Sequence, residues 1–594
     1  MRAASQPYLC REGDVAEEAD RTTVDNDGSI QWRPWGVDAF AEAREHDRPV
    51  LLTVTASWCA DCRALDRRVL SDDAVRRLTR EAVVPVRADG DRQPHVRDRY
   101  NAAGWPVVAL LTSDGDVLWS GTPDSPRQLQ SVIERVAAAW TQKREEIERE
   151  IEHRVTALRS NRQRRTATGL VRREAADDVM TALQQSFDGR NGGFGEAPKM
   201  LPPEAVELLY AQAERLPNPE WAAIADTTLD GALAGELYDA AHGGFHRLAR
   251  AADWTHPSTE KLLETNAWAV RALAVGAALR GNGRWLDAVE STIEWADRRL
   301  GRDDGLWGAS EAAADADADV PSQNGTRPVD ATVLTDACAQ WCGALAEAGA
   351  RLGRAEWVER AATAMDTLLR RMDAGEGLLF HYLPADDEPR LAGLLSDVCE
   401  SARACLAIAQ ATGDPAWIER ARELARAMER HFWADDGGFE DIAEPVERVG
   451  ALRHGDRSFE QNAVAAGVLV DLDALAEDRT WRALAERCLA MLAPVAGRYG
   501  IAAAGFAFAA EHFFDPPTRL VVVGGGPAAF DLRARALALP LADRQVWTLP
   551  EGGAVGGRRL RAVDEPAVYV CGQRRVSPPI RELEALQEAV SPTG

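Results

Sequence analysis

An internal repeat limits the folds open to this chain more than any other feature. Five stretches have a Trp near their start and continue as Ala-rich amphipathic segments, as in "PEWAAIADTTL" and "PAWIERARELA". Apolar residues at helical spacing predict that each stretch is an α-helix. The tryptophans recur every 60 to 72 residues, at Trp221, Trp285, Trp357, Trp417 and Trp481.

A Gly-rich turn that ends in an aromatic residue follows each helix of the repeat, and a sixth copy precedes the first Trp. The aromatics are Phe194, Phe245, Trp307, Phe380, Phe439 and Phe506. Six copies of two helices make twelve helices, and helical hairpins in that number are expected to close into an (α/α)6 toroid that buries every hairpin face. An open solenoid is the alternative.

Polar residues after these turns are expected to line the central cavity of the toroid. They include Glu196, Glu264, Glu400 and Asn462. The predicted substrate-binding residues of the barrel are Lys199, His246, Arg247, Glu260, Lys261, Asn266, Asp397 and Glu460. Carboxylates together with His could bind a sugar and move its protons. Charged residues at helix starts also serve as caps and ion pairs, so a structural role is the alternative.

Two cysteines occur in "TASWCADCRALD", residues 55 to 66. A buried strand is predicted before them (48–56) and a helix after them, followed by a strand, a helix, a hairpin with a D-G turn, and a last helix near 126–149. This is the order of the thioredoxin fold. Pro106, directly after Gly104 and Trp105, stands where that fold has a cis-proline.

The placement of the pair favours redox chemistry. A thiolate at a helix N-terminus has a lowered pKa, so Cys59 is predicted to attack and Cys62 to resolve. Pro106 completes the predicted catalytic set, and Trp58 and Trp105 are predicted to contact the substrate. Simple packing and half of a zinc site are the alternatives, although no further ligands lie nearby in sequence. An ionised Asp61 should oppose thiolate formation and favours a reducing poise.

Composition narrows the partners and the compartment. The net charge is −25, which disfavours nucleic acid and anionic membrane surfaces as partners. Arg replaces Lys almost everywhere, which indicates a halophilic host or a GC-rich genome; the only lysines are Lys143, Lys199 and Lys261. The N-terminus has no apolar segment of a signal peptide, so we expect a cytoplasmic protein. Nine cysteines are then unlikely to form a disulfide framework.

These patterns divide the chain into three predicted regions. Residues 1–150 form an α/β thioredoxin-like domain, 151–515 an all-α barrel of six hairpins, and 516–594 a small α/β appendage. The triple Gly in "VVVGGGPAAF" lacks the spacing of a nucleotide-binding loop and is predicted to be a turn. No cofactor and no metal are expected.

The chain resembles the thioredoxin-domain proteins related to spermatogenesis-associated protein 20, also called YyaL-like proteins. The resemblance rests on "SQPYL", the C-x-x-C, "GWPVVALLTSDGDVLWSG", "FDGRNGGFGEAPK", "LYDAAHGGFHR", "EKLLETNA", "VLTDACA", "FWADDGGFED" and "VYVC". It implies a thioredoxin fold joined to an (α/α)6 barrel similar to those of N-acylglucosamine 2-epimerases and six-hairpin glycosidases.

The chain also departs from that family. The family's C-H-W-C-H is Cys59-Ala60-Asp61-Cys62-Arg63 here, closer to the C-terminal thioredoxin domain of the disulfide reductase DsbD. The family's "PHFEKMLYDNA" has become "PSTEKLLETNA", which keeps only Glu260, Lys261 and Asn266 among its polar positions and replaces the others by Ser258, Glu264 and Thr265. Its Trp-Asn after "VLTD" is Ala337-Cys338, and the second Cys of its C-terminal C-x4-C is Val576.

The function predicted from sequence is thiol–disulfide exchange through Cys59 and Cys62, with the barrel recognising a carbohydrate or another substrate. A protein thiol or disulfide is the expected partner. Two alternatives stay open: a sugar epimerase or isomerase in which the redox pair regulates, and a non-catalytic interaction protein.

Overall fold

The computed structural model describes residues 29–594 with short gaps. The gaps are residues 102–103, 167–170, 217, 314–326, 386, 477–479, 562, 573–574 and 591–594; for 157–166 only the backbone is described. The chain forms two compact units. The first runs to Thr156 and also includes Glu447–His454, and the second comprises Ala157–Val446 and the chain from Gly455 onward. Residues beyond 515, predicted to be a separate region, lie in the second unit.

The first unit is built on a five-stranded sheet of order β1-β3-β2-β4-β5. The strands are β1 (Arg33–Pro34), β2 (Val50–Thr55), β3 (Val84–Asp89), β4 (Val107–Leu111) and β5 (Val117–Gly121). β2 runs parallel to β3 and antiparallel to β4, and β4 and β5 form the predicted hairpin. The central strands are buried on both faces, which explains their unbroken apolar sequence.

Six helices belong to or extend this sheet domain. They are α1 (Val37–Glu45), α2 (Ala60–Leu65), α3 (Asp73–Ala82), α4 (Pro94–Tyr100), α5 (Pro126–Gln142) and α6 (Arg144–Thr166). The prediction of a single helix after the cysteines was wrong, because two helices, α2 and α3, follow them. α2 passes into a short π-helix, and a new helix starts where the Asp72 carboxylate accepts the N–H groups of Ala74 and Val75.

Twelve helices of the second unit form a closed double ring. The inner helices are α8 (Pro203–Arg215), α10 (Leu263–Arg280), α12 (Thr335–Leu352), α14 (Leu395–Thr412), α16 (Phe459–Ala474) and α19 (Ala504–Phe514). Each packs on the next, and α19 packs on α8, so the ring closes and the open solenoid is excluded. The fold class predicted from the repeat is confirmed.

The outer helices alternate with the inner ones along the chain. They are α7 (Glu174–Ser186), α9 (Pro219–Ala234), α11 (Gly283–Arg299), α13 (Ala355–Arg371), α15 (Ala416–Phe432) and α17 (Thr480–Leu492), and the one-turn helix α18 (Ala496–Tyr499) leads into α19. The five repeated tryptophans all lie at the second or third residue of an outer helix. Inner helices are buried nearly all round, and Ala lets their backbones approach closely.

Short strands lie between the helices of the barrel, where the sequence predicted none. They are β6 (Leu248–Ala249), β7 (Pro257–Ser258), β8 (Lys261–Leu262), β9 (Ser310–Glu311), β10 (Val329–Asp330), β11 (Val333–Leu334), β12 (Asp373–Gly375), β13 (Leu378–Leu383) and β14 (Arg390–Ala392). Most are two or three residues long, too short for a period-two hydrophobic pattern to register.

The C-terminal region has the predicted α/β character. β15 (Thr518–Val523) pairs parallel with β16 (Arg544–Leu549) and antiparallel with β19 (Ala567–Cys571). The remaining elements are α20 (Pro527–Leu537), β17 (Ala554–Val555), β18 (Arg558–Arg559) and α21 (Leu583–Val590). The triple Gly joins β15 to α20 as a turn.

One stretch of the barrel, Thr480–Phe514, has the length and the mean hydropathy, 1.3, of a membrane-spanning helix. Half of its apolar window is buried in the structure, and the stretch is divided among α17, α18 and α19 with 3-10 turns between them. Core helices of folded proteins pass the same test, so this stretch is weak support for a membrane span.

Candidate functional site

The two cysteines of the C-x-x-C lie where β2 ends and α2 begins. Cys59 is the N-cap of α2, and its sulfur accepts the backbone N–H of Cys62 at 3.1 Å. Cys59 and Cys62 are joined by a disulfide. Both are nearly buried, with 3% of Cys59 and 2% of Cys62 exposed. The strand-to-helix junction therefore holds both sulfurs at the positive end of α2.

The predicted neighbours of the pair lie at the same end of the sheet. The Trp105–Pro106 peptide bond is cis, as predicted. Val107, the next residue, pairs with Val54 of β2, so Pro106 lies beside the end of the strand that leads to Cys59. The ring of Trp105 is half-buried and forms an edge contact with Trp58, with centroids 5.0 Å apart.

Trp58 and Asp61 differ in their surroundings. The indole N–H of Trp58 donates to the Asp91 carboxylate at 2.7 Å, which fixes the buried ring. Asp61 lies exposed in the first turn of α2, where a charged carboxylate is next to the pair. An aromatic surface and a negative charge thus flank the disulfide.

Two predicted ligands of the barrel, Lys199 and Lys261, are buried beneath Gly-rich turns. The Lys261 ammonium donates to Asp239 at 2.8 Å and to the Gly243 carbonyl at 2.7 Å. Lys199 repeats this arrangement one hairpin earlier, on the carboxylate and a glycine carbonyl of the turn "DGRNGGF". These contacts show that each lysine holds its own turn; substrate binding by either one stays a prediction.

Close packing against a neighbouring helix requires the double glycine in these two turns. Gly243 has φ +80°, and a Cβ there would lie 2.4 Å from the Ser291 carbonyl oxygen of α11. Gly192 meets the Thr227 carbonyl of α9 in the same way, at 2.3 Å. Each turn therefore fits against the next outer helix only without a side chain.

Asn266, another predicted ligand, holds the aromatic residue of the turn. Its Oδ1 accepts the N–H of Phe245 at 2.7 Å, and its Nδ2 donates to the carbonyls of Phe245 and Leu262. Asn462 makes the same three contacts in a later hairpin. The side chain is fully buried and completely bonded, so its role in the structure is to join the turn to the inner helix.

His246, Arg247 and Glu260, three predicted ligands of the barrel, lie together. Arg247 donates to the Glu260 carboxylate at 2.6 Å, and the two backbones are also bonded. His246 Nδ1 lies 3.2 Å from the Thr259 carbonyl, so this nitrogen carries the proton. Burial and the nearby Lys261 lower the pKa of His246 to about 4. The imidazole is therefore neutral at pH 7.

Asp397 is the predicted barrel residue with the most unusual surroundings. It lies near the start of α14 with no exposed side-chain surface, and its Oδ1 is 2.9 Å from His381 Nδ1 of β13. Burial raises the pKa of Asp397 to about 7, although the contact with His381 lowers it. Asp336, at the start of α12, lies close to both residues. Glu460 is exposed at the second position of α16.

His381 and Asp336 were missed from the sequence, and a repeated pattern could have found one of them. "LETN", "TDAC", "SDVC" and "FEQN" lie at the start of successive inner helices, and each has one acid at its second position. The acids are Glu264, Asp336, Asp397 and Glu460. No pattern marks His381, because its place beside Asp397 depends on the register of β13.

A second group missed from sequence is an ion network inside the ring. Arg271 of α10 bonds Glu204 and Glu207 of α8 at 2.8 and 2.6 Å. Arg403 of α14 bonds Glu204 at 3.2 Å and Glu400 at 2.6 Å. Since α8 and α14 face each other across the ring, the Arg403–Glu204 ion pair crosses the interior of the barrel.

Comparison with known proteins gives a family match for the N-terminal region and relatives that align with up to half of the chain. Residues 20–159 match the family Thioredox_DsbH, described as "Protein of unknown function, DUF255". Human spermatogenesis-associated protein 20 is 26% identical over 320 residues, which cover 50% of this chain and 40% of the human protein. The alignment thus spans well under two thirds of that relative's own length.

Two further likenesses each cover only part of the chain. The thiol:disulfide interchange protein DsbD 1 of Pseudomonas aeruginosa is 36% identical over 85 residues, 14% of either chain. The cellobiose 2-epimerase structure from Bacillus thermoamylovorans aligns with a TM-score of 0.45 and 14% identity, over 53% of this chain and 85% of the epimerase. The chain therefore carries a Thioredox_DsbH domain and is homologous to spermatogenesis-associated protein 20, which confirms the resemblance predicted from its motifs.

Proposed function

We propose that the chain is a thiol–disulfide oxidoreductase that acts through Cys59 and Cys62. The observation that carries the proposal is the placement of the pair: a disulfide at a helix start, with Pro106 at the same end of the sheet. A helix N-terminus stabilises the thiolate of the reduced form.

The proposed exchange begins with the reduced pair. The Cys59 thiolate attacks one sulfur of a disulfide in a partner protein, and the other sulfur leaves as a thiolate that takes a proton. The Cys62 thiolate then attacks Cys59 Sγ, releases the second partner thiolate, and closes the Cys59–Cys62 disulfide. Two electrons pass to the partner, and a dithiol donor protein restores the pair by the reverse sequence.

The other cysteines support a reducing compartment, here proposed to be the cytoplasm. The structure describes eight of the nine cysteines, and the six outside the pair are free and buried. Reduced thiols are the rule in the cytosol, where a lone C-x-x-C disulfide is typically catalytic.

The barrel is proposed to recognise the substrate, a carbohydrate being one candidate class. The acids Glu264, Asp336 and Glu460 at the starts of inner helices keep some exposure and could accept hydrogen bonds from sugar hydroxyls. Titration calorimetry with mannose and cellobiose tests this: binding that Glu460→Gln weakens supports a sugar site, and no heat at millimolar sugar argues against it.

The redox proposal is tested by the reduction potential of the pair. The purified chain is equilibrated in graded thiol–disulfide buffers, its free thiols are alkylated, and the added mass is counted. We expect a two-electron midpoint near the value of about −270 mV of thioredoxin. Cys59→Ser should abolish the transition, whereas Cys571→Ser, which removes a buried thiol elsewhere, should leave it in place. A pair that stays reduced in every buffer would overturn the proposal.

A further inference from the structure

Three side chains that the redox chemistry does not use converge at one end of the barrel. Asp336 is the second residue of α12, Asp397 the third residue of α14, and His381 lies in β13. α12 and α14 are neighbours in the inner ring, and β13 packs against both. The fold thus brings together three residues that are 16 to 61 positions apart in sequence.

The distances within this cluster are compatible with a metal-binding site. One oxygen from each carboxylate and one imidazole nitrogen all lie within 4.8 Å of one another. Ligand atoms about 2.0 to 2.2 Å from a common ion are separated by roughly 3 to 4 Å, so a small adjustment would bring all three to bonding distance. Asp397 and His381 are already 2.9 Å apart.

A second observation points to a missing partner at this place. Asp397 is fully buried, and its Oδ2 has no hydrogen-bond partner among the residues that the structure describes. A buried carboxylate oxygen without a donor is costly, because the oxygen has lost water and gained nothing in exchange. A cation bound between Asp397 and Asp336 would satisfy that oxygen.

The donor set and its access define the class of ion. One imidazole and two carboxylates suit divalent ions such as Mn2+ and Zn2+, whereas soft ions prefer thiolates. Asp336 is half-buried, so the site has one side open to an entering ion and to a further ligand such as water. We propose that Asp336, His381 and Asp397 bind a divalent transition-metal ion at the start of the inner helices.

Binding of Mn2+ to the full-length chain tests this proposal. Free Mn2+ gives a strong electron paramagnetic resonance signal that is lost on binding, and Mn2+ interacts weakly with thiols, so the cysteines do not interfere. The background is Cys59→Ser/Cys62→Ser, which makes the outcome independent of the redox pair. We expect one bound Mn2+ per chain, and Zn2+ should displace it, because Zn2+ binds nitrogen and oxygen sites more tightly.

The decisive variant is Asp336→Asn, because this half-buried residue can be changed with little effect on folding. We expect its Mn2+ affinity to fall by about 100-fold, since loss of a second-shell group already costs 10- to 100-fold. Glu264→Gln is the matched control at the same position of α10 and should bind Mn2+ like the parent. Equal affinity in Asp336→Asn, or no Mn2+ bound by the parent at millimolar concentration, would overturn the proposal.

Discussion

Replacing Lys261 by Met tests whether this buried lysine stabilises the folded barrel. The side chain is 1% exposed, and its ammonium contacts Asp239 and the Gly243 carbonyl. It also lies 5.3 Å from the ring centroid of Trp295. Met keeps much of the length and the apolar stem, so the change removes the charge and its hydrogen bonds while largely preserving packing.

The expected loss follows from what the substitution leaves behind. Removing one partner of a buried ion pair costs about 3 to 5 kcal/mol. Asp239 keeps the backbone N–H groups of Ala241 and His242 and is 13% exposed, so we expect the lower end, about 3 kcal/mol. Burial would raise the pKa of Asp239, but the bond to Lys261 and its charge hold that pKa below the ordinary value.

The pH dependence has a definite sign. Since the folded state holds the pKa of Asp239 below its unfolded value, the pair contributes stability above about pH 4 that is lost as the pH falls through the folded pKa. Lys261→Met should therefore lose stability at pH 7 and lose less on further acidification than the wild type does.

The change in the free energy of unfolding is measured by urea unfolding. Far-UV circular dichroism follows the transition, because it reports the helices of the barrel. Lys143→Met is the control, because that lysine is 63% exposed and its loss should change the free energy of unfolding by less than about 0.5 kcal/mol. Asp239→Asn combined with Lys261→Met should cost less than the sum of the single changes. A Lys261→Met protein as stable as the wild type would refute the structural role.

Three further outcomes are expected, each read from the free energy of unfolding. His246 has a pKa of about 4 in the folded state, below its unfolded value, so stability falls by about 2 to 3 kcal/mol as the pH drops from 6.5 to 4, and His246→Gln should remove most of that slope. Tyr100→Phe should cost about 1 to 3 kcal/mol, because the hydroxyl donates to the Gly115 carbonyl and accepts a backbone N–H; an unchanged value would contradict this. Asn462→Ala should cost about 2 to 5 kcal/mol, because it leaves both backbone groups of Phe439 unpaired. An alanine substitution at an exposed helix position, the control, should change the free energy of unfolding much less.

The architecture could be predicted because its signals are local and repeated. A Trp near the start of five of the six outer helices and a Gly-rich turn in each hairpin mark contacts between neighbouring hairpins. The thioredoxin order of strands and helices could also be predicted, because Cys59 and Pro106 mark fixed points of a short chain segment. The break at Asp72 was missed, since one capping carboxylate does not alter the apolar periodicity on either side.

The candidate residues of the barrel were harder to interpret, since residue type does not show what a side chain touches. Lys261 and Asn266 are predicted to be cavity ligands because both are polar residues beside a Gly-rich turn. In the structure each side chain bonds to that turn, and substrate binding by either one stays a prediction. His381 escaped notice because its partners are set by strand register and ring closure, which no single segment encodes.

The two buried lysines give the chain an uncommon chemical surface. Of its three lysines, only Lys143 is exposed, since Lys199 and Lys261 are each 1% exposed. An amine-reactive dye applied to the folded protein should therefore modify Lys143 but neither of the other two lysines, whereas the unfolded chain should take up two labels more. Among the lysines, Lys143 would then be the attachment point for amine-directed immobilisation, and slow labelling of the other two would report how often the turns of the barrel open.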